Sequence, residues 1–188
     1  MTKYIKVIDD FICKEWQDII CADLDPERVS WSLSKDATYR DDYLEKEHKT
    51  VSNPSIANLI YLNGKVHNNS YYILYPMFLQ ALDKAGLKSD SLFRIRYGCY
   101  FNNNTGTSVI HHPHVDAEFP HFTGLYYPYD TDGDTYFYSD KTGSEIIGQI
   151  TPKKGQMVIF DGQIFHASST PVNHILRTTL NFNFLIKE

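Results

Sequence analysis

The run His111-His112-Pro113-His114-Val115-Asp116 gathers imidazoles and a carboxylate within six residues. In an extended chain, residues i and i+2 point to one face, so His114 and Asp116 stand side by side and Val115 turns away. With one more histidine from elsewhere, this pair makes the 2-His-1-carboxylate face that holds Fe(II) and leaves three coordination positions open. An H-x-D alone is also compatible with a solvated turn carrying surface histidines. His112 with His114 forms an H-x-H that suits zinc, but that reading leaves Asp116 and Arg177 without a role.

Two later features give the pair a context. From Gly155 the apolar run Met157-Val-Ile-Phe160 leads through Asp161-Gly162 to His166, a strand and turn that deliver a histidine. Eleven residues further, Arg177 opens a stretch in which Arg177, Thr179, Asn181 and Asn183 alternate with Thr178, Leu180, Phe182 and Phe184. Alternation puts the polar set on one face. A solvent-exposed face would look the same. A guanidinium beside a hydroxyl, near a metal histidine, is suited to clamp a carboxylate through two hydrogen bonds. A cosubstrate that chelates iron at one end and carries a carboxylate at the other matches both features.

The elements that must position these groups divide the chain into a helix-rich first half and a strand-rich second half. Tyr4 to Ile8 reads as a short strand. Ile12, Trp16, Ile19, Ile20 and Leu24 share one helical face. Residues 25–70 are polar and irregular. Leu74, Phe78, Ala81, Leu82 and Ala85 mark a second helix, with Pro76 in its first turn and Gly86 at its end. From Ser91, six segments rich in β-branched and aromatic residues read as strands: Leu92–Phe101, Phe122–Tyr129, Thr135–Tyr138, Glu145–Ile150, Gln156–Phe160 and Leu176–Ile186. Turn signals between them, such as Asp132-Gly133 and Lys141-Thr142-Gly143, suggest antiparallel strands in a sandwich or barrel. The expected organisation is one domain, 1–188. Residues 1–90 form a helical support and substrate-side arm, and 91–188 a β core.

Composition narrows the function classes. The 188 residues are 42% hydrophobic and carry a formal charge of −5, so the chain folds around a core and is not disordered. No Lys/Arg-rich block supplies the phosphate contacts a nucleic-acid partner needs, so none is expected. Three cysteines, Cys13, Cys21 and Cys99, are too few and unpaired for a disulfide framework and lack zinc-site spacing. Met1-Thr2-Lys3-Tyr4 shows no apolar leader and no stretch is long enough to span a bilayer, which points to a cytoplasmic protein without a membrane partner.

The order H-x-D, distal His, then Arg about ten residues later resembles the Fe(II)/2-oxoglutarate oxygenases, and within them the prolyl-4-hydroxylase-like branch. The likeness covers residues 90–186. It includes Cys99-Tyr100, Asn104-Thr105-Gly106, Leu125-Tyr126-Tyr127, Gly133-Asp134-Thr135 and Thr151-Pro-Lys-Lys-Gly155. It implies a mainly β, α+β fold, a double-stranded β-helix or jelly roll with N-terminal helices packed on one sheet. It makes His114, Asp116 and His166 the iron ligands and Arg177 the partner of the 2-oxoglutarate distal carboxylate. It also gives Tyr127 a hydrogen bond to that carboxylate, Tyr100 a contact at the metal-proximal end, and Thr179 a place in an R-x-[ST] pattern. The implied reaction uses Fe(II), 2-oxoglutarate and O2, with ascorbate in support, and hydroxylates a peptide or small molecule with release of succinate and CO2. The segment Thr107 to Pro113 is longer than the branch has before its H-x-D, and Asn183 stands where prolyl hydroxylases tend to carry Trp.

Other readings remain: a non-catalytic jelly-roll module whose cluster is structural or holds zinc, and a cupin-type dioxygenase that does not use 2-oxoglutarate. Succinate production separates them. His111, His112 and His121 are expected at the surface, His174 in a connecting loop, and His48 and His67 away from the site. Residues 25–70 and the loops 102–113 and 117–121 are expected to shape the substrate pocket.

Overall fold

The strict alternation of the last long strand organises the molecule. In β13, Leu176–Ile186, the residues Leu180, Phe182 and Phe184 are buried in an apolar cluster, while Arg177, Thr179, Asn181 and Asn183 face the other way. The computed structural model describes residues 5–35, 50–51 and 53–187, which form a mainly β protein with two helices. The remaining elements are β1 Ile5–Ile8, α1 Lys14–Asp23, β2 Ser32–Ser34, β3 Thr50–Val51, β4 Ser55–Leu62, β5 Lys65–Val66, α2 Tyr71–Ala85, β6 Ser89–Phe101, β7 Ile110–His111, β8 Phe122–Tyr127, β9 Thr135–Tyr138, β10 Ile146–Ile150, β11 Gln156–Asp161 and β12 Phe165–Ser168.

A large sheet runs β1-β11-β8-β13-β6-β4-β2, with β5 paired to β4, and a small one runs β10-β9-β12. Both are antiparallel; β3 and β7 pair in parallel. Two apolar clusters follow from the alternation. On one face of the large sheet, Ile95, Tyr97, Tyr126, Met157, Ile159 and Phe182 meet Ile20 and Leu24 of the α1 region and Leu74, Met77, Phe78 and Ala81 of α2. On the other, Leu125, Tyr127, Val158 and Phe160 meet Phe137 and Ile164. Each fully buried Phe or Leu contributes about 1.5–3 kcal/mol. The inner face is apolar along β8 and β11 but polar along β6 and β13. A polar surface inside a fold is costly without partners, and this strip carries the candidate site.

The second helix starts earlier than its apolar stripe indicates. Asn68 Oδ1 accepts from the amide and hydroxyl of Ser70, which orders the chain ahead of Tyr71. Pro76 therefore sits inside the helix, where it forgoes an amide hydrogen bond, and not in its first turn. Gly86 ends the helix at φ 71°.

Both described helices lie in the first half, but they share it with strands. The described part of residues 1–90 holds β1 through β5, and β1, β2 and β4 extend the large sheet on both sides. β4 escapes a periodicity reading because its pairing with β6 slips between Leu59 and Tyr61. The slip leaves Ser55, Asn58 and Ile60 buried and no regular alternation. Residues 36–49, with His48, lie outside the described residues. Among the described residues no helix is long and apolar enough to cross a membrane, and the three cysteines are free.

Candidate active site

His114 and His166 are locked together by the backbone. Each amide donates to the other's carbonyl, at 3.0 and 2.9 Å, which joins the chain after β7 to β12 and sets the two imidazoles 4.6 Å apart. The Nδ1 of His166 lies 3.1 Å from the Ile164 carbonyl, and that of His114 lies 3.3 Å from the His112 carbonyl. With Nδ1 protonated toward these carbonyls, each ring keeps an Nε2 lone pair for a ligand. Burial pushes the His114 imidazolium down to about 4 and lowers that of His166, so both rings are neutral at neutral pH.

Asp116 completes the group. Burial works against its charge, but the Arg94 guanidinium beside it and the two histidines hold its carboxyl well below the usual range. Arg94 Nη2 reaches Asp116 Oδ1 at 2.6 Å and its Nε donates to Asn183 Oδ1 at 2.7 Å. Asp116 Oδ2 accepts from the Asn181 and Asn183 amides, both at 2.9 Å, and from Thr123 at 3.3 Å. The two asparagines of β13 are therefore engaged with the carboxylate and are not a solvated face.

One donor atom from each of His114, Asp116 and His166 lies within 4.8 Å of the others. Donors about 2.1 Å from a common ion stand at most ~4.2 Å apart. The set closes on an ion with movements of about half an ångström. Two neutral imidazoles and a carboxylate fit Fe(II), and no sulfur ligand is present to favour a softer ion.

These three residues line a cavity with Tyr100, Thr135, Ser168, Arg177, Thr179, Asn181 and others. Arg177 is 2% exposed. Its Nε donates to the Gly133 carbonyl and its Nη2 to Thr135 Oγ1, both at 2.7 Å, and Tyr100 lies 5.8 Å beneath the guanidinium. Among the described residues it makes no ion pair; Asp134 is near enough to favour its charge but pairs instead with Tyr136 and Gln149. A buried cation without a carboxylate is expensive, and an entering anion relieves that cost. Gly133 is required here because a Cβ would come within 2.6 Å of Arg177 Cδ and 2.8 Å of the Ser169 carbonyl.

Tyr100, Thr179 and Arg177 reach the cavity directly. Tyr127 does not line it: fully buried, it bonds Thr135 Oγ1 at 2.8 Å and acts on Arg177 through that hydroxyl. His111, His112 and His121 are buried, contrary to their expected surface placement, because each has a partner the sequence does not reveal. His111 bonds Ser168 and stacks on Tyr100, His112 bonds Thr50, and His121 bonds the Phe119 carbonyl. His174 lies in its loop, bonded to Asp132, and His67 is exposed. Of the segments expected to shape the pocket, only Ser55 and Ile56 line it among the described residues; 102–113 and 117–121 do not. Arg94, Arg96, Thr123 and Thr135 were missed. A signal existed for the first two: Arg94, Arg96, Gly98 and Tyr100 alternate along β6 opposite Asn183, Asn181, Thr179 and Arg177.

No protein-family model matches the chain, and no curated protein matches its sequence. Solved structures do. An oxidoreductase of the 2OG-Fe(II) oxygenase family from Burkholderia pseudomallei superposes with TM-score 0.70 at 13% identity, over 96% of this chain and 84% of that one. A prolyl hydroxylase from Trichoplax adhaerens, solved with a hypoxia inducible factor peptide, gives 0.65 at 10%, over 98% and 84%. The epimerase SnoN, solved with Fe3+, alpha ketoglutarate and nogalamycin RO, gives 0.64 at 12%, over 97% and 79%. The chain thus has the fold of 2OG-Fe(II) oxygenases, among them prolyl hydroxylases and an epimerase.

Proposed function

We propose that the protein is an Fe(II)- and 2-oxoglutarate-dependent dioxygenase that hydroxylates a small-molecule or peptide substrate in the cytoplasm, as a single jelly-roll domain spanning 1–188. The observation that carries this reading is the shared cavity. A candidate metal triad and a buried guanidinium without a carboxylate partner open into the same space. A structural zinc site or a cupin-type enzyme gives no reason for Arg177.

His114, Asp116 and His166 would hold the iron. Arg177, oriented by Thr135 and through it by Tyr127, would receive the distal carboxylate of 2-oxoglutarate. Tyr100 and Thr179 border the space between. Arg94, Asn181, Asn183 and Thr123 fix the Asp116 carboxylate so that it does not reorient on ligation. Bound iron, with 2-oxoglutarate and O2, supplies the oxidising chemistry that yields succinate, CO2 and an oxidised substrate. Because Asp116 keeps its carboxylate, the triad suits hydroxylation.

Purified protein given Fe(II), ascorbate and 2-oxoglutarate should form succinate, and should stop when Fe(II) is omitted or His166 is changed to Ala. Turnover that survives His166→Ala would contradict the assignment.

A further inference from the structure

One cation in the cavity is used neither by the triad nor by the Arg177 subsite. Arg96 lies on the inner face of β6, in register with Asn181, and lines the same cavity as His114 and Asp116. Among the described residues its side chain makes no hydrogen bond and no ion pair. The cavity's carboxylate, Asp116, is already matched by Arg94 at 2.6 Å, so Arg96 is not its counter-ion. Its partner across the strands, Asn181, donates to Asp116, whereas Arg177 stands opposite Tyr100 four residues along β6, so Arg96 lies toward the metal side of the cavity.

The charges then decide what the cavity accepts. Among the described residues, three guanidinium groups, Arg94, Arg96 and Arg177, are set against Asp116, two neutral imidazoles and, beside Arg177, Asp134. A divalent metal adds two positive charges, and a dianionic cosubstrate removes two. An excess of positive charge remains beside the metal, in a half-buried position where it is screened less than in open water. A neutral substrate would leave that excess uncompensated.

We propose that Arg96 is the specificity residue for the oxidised substrate, and that this substrate is a small carboxylic acid whose carboxylate it binds. This rests on the oxygenase reading above. A small acid is favoured over a protein because Arg96 lines the same cavity as His114, Asp116 and Arg177 and does not stand on an outer face. The planar fork of Arg96 would hold the carboxylate in two hydrogen bonds and orient the carbon to be oxidised toward the metal.

The test uses protein loaded with Mn(II), which does not turn over, and with 2-oxoglutarate. Calorimetric titration then follows a panel of the common L-amino acids and the C2 to C6 aliphatic acids, each beside its primary amide. At least one acid should bind saturably, with its amide about 10-fold weaker or worse. Arg96→Gln should abolish that preference and Arg96→Lys should keep part of it. In both variants 2-oxoglutarate affinity should stay within about threefold of wild type, which also reports an intact cavity. The proposal is overturned if no acid is preferred over its amide, or if Arg96→Gln keeps the preference. It is equally overturned if only acidic hexapeptides bind, or if Arg96→Gln loses 2-oxoglutarate as deeply as Arg177→Ala does. Wild-type protein that takes up Mn(II) but not 2-oxoglutarate would instead refute the oxygenase reading itself.

Discussion

The backbones of His114 and His166 hydrogen-bond to each other in both directions, so the two imidazoles are set by main-chain geometry before any ligand arrives. Changing either side chain therefore leaves the scaffold in place. Loss of an outer partner of a metal ligand typically costs 10- to 100-fold in affinity, and loss of a ligand should exceed that. His114→Ala, Asp116→Ala and His166→Ala should each weaken Mn(II) or Fe(II) binding by more than about 100-fold with the β-sheet circular dichroism unchanged. His174→Ala should bind metal as wild type does, since His174 pairs with Asp132 and is not one of the three clustered donors.

Arg94 and Asp116 form a short ion pair in which the carboxylate side chain is 6% exposed. Removing one partner of such a pair leaves a buried charge uncompensated. The cost is about 2–3 kcal/mol here, below the fully buried range because Arg94 is partly open. Arg94→Ala should lower the melting temperature of metal-free protein. Saturating Mn(II) should restore most of the loss, because the cation takes over the pairing. Equal destabilisation with and without metal would mean that Asp116 does not face the ion.

Gly133 is held against Arg177 and the Ser169 carbonyl. A methyl group there must push the guanidinium aside. Gly133→Ala should cost about 1–3 kcal/mol in stability and weaken 2-oxoglutarate binding, while metal affinity stays near wild type. Unfolding melts and anaerobic titration check both.

Much of this site is legible in the residues themselves. β13 is long and strictly alternating, so Arg177, Thr179, Asn181 and Asn183 can be put on one face from sequence alone. β12 cannot be read that way: four residues between turns carry no period, and His166 is visible only as the end of an apolar run. Arg94 and Arg96 alternate with apolar residues along β6, a signal that puts them on one face but does not say whether that face is covered or solvated. The burial of His111, His112 and His121 depends on Ser168, Thr50 and Phe119, contacts remote or too irregular for any local pattern.

Acid should loosen the loop before β13. Burial raises the Asp132 carboxyl, but the amides of Asn173 and Val172 and the His174 imidazole outweigh it and hold it low. A depressed carboxyl contributes stability that is complete above its unfolded value, near 3.8, and is lost as pH falls below it. Asp132→Asn should be less stable than wild type at pH 7, and the gap between the two should narrow between pH 5 and 2. A constant gap over that range would show that the charge contributes nothing.

Anaerobic titration of the Fe(II)-loaded protein, followed through the metal-to-ligand charge-transfer band, tests the proposal that Arg177 receives the carboxylate of 2-oxoglutarate. Truncating one partner of a buried charge pair costs about 2–5 kcal/mol, which is roughly a 30- to 5,000-fold loss of affinity. Arg177→Ala should show that loss with iron binding nearly unchanged, and Arg177→Lys an intermediate one. Thr135→Val, which removes the hydroxyl bonded to the guanidinium, should weaken binding more than Tyr127→Phe, which acts one bond further away. Wild-type affinity for 2-oxoglutarate in Arg177→Ala would contradict the account, whatever the fate of the iron site.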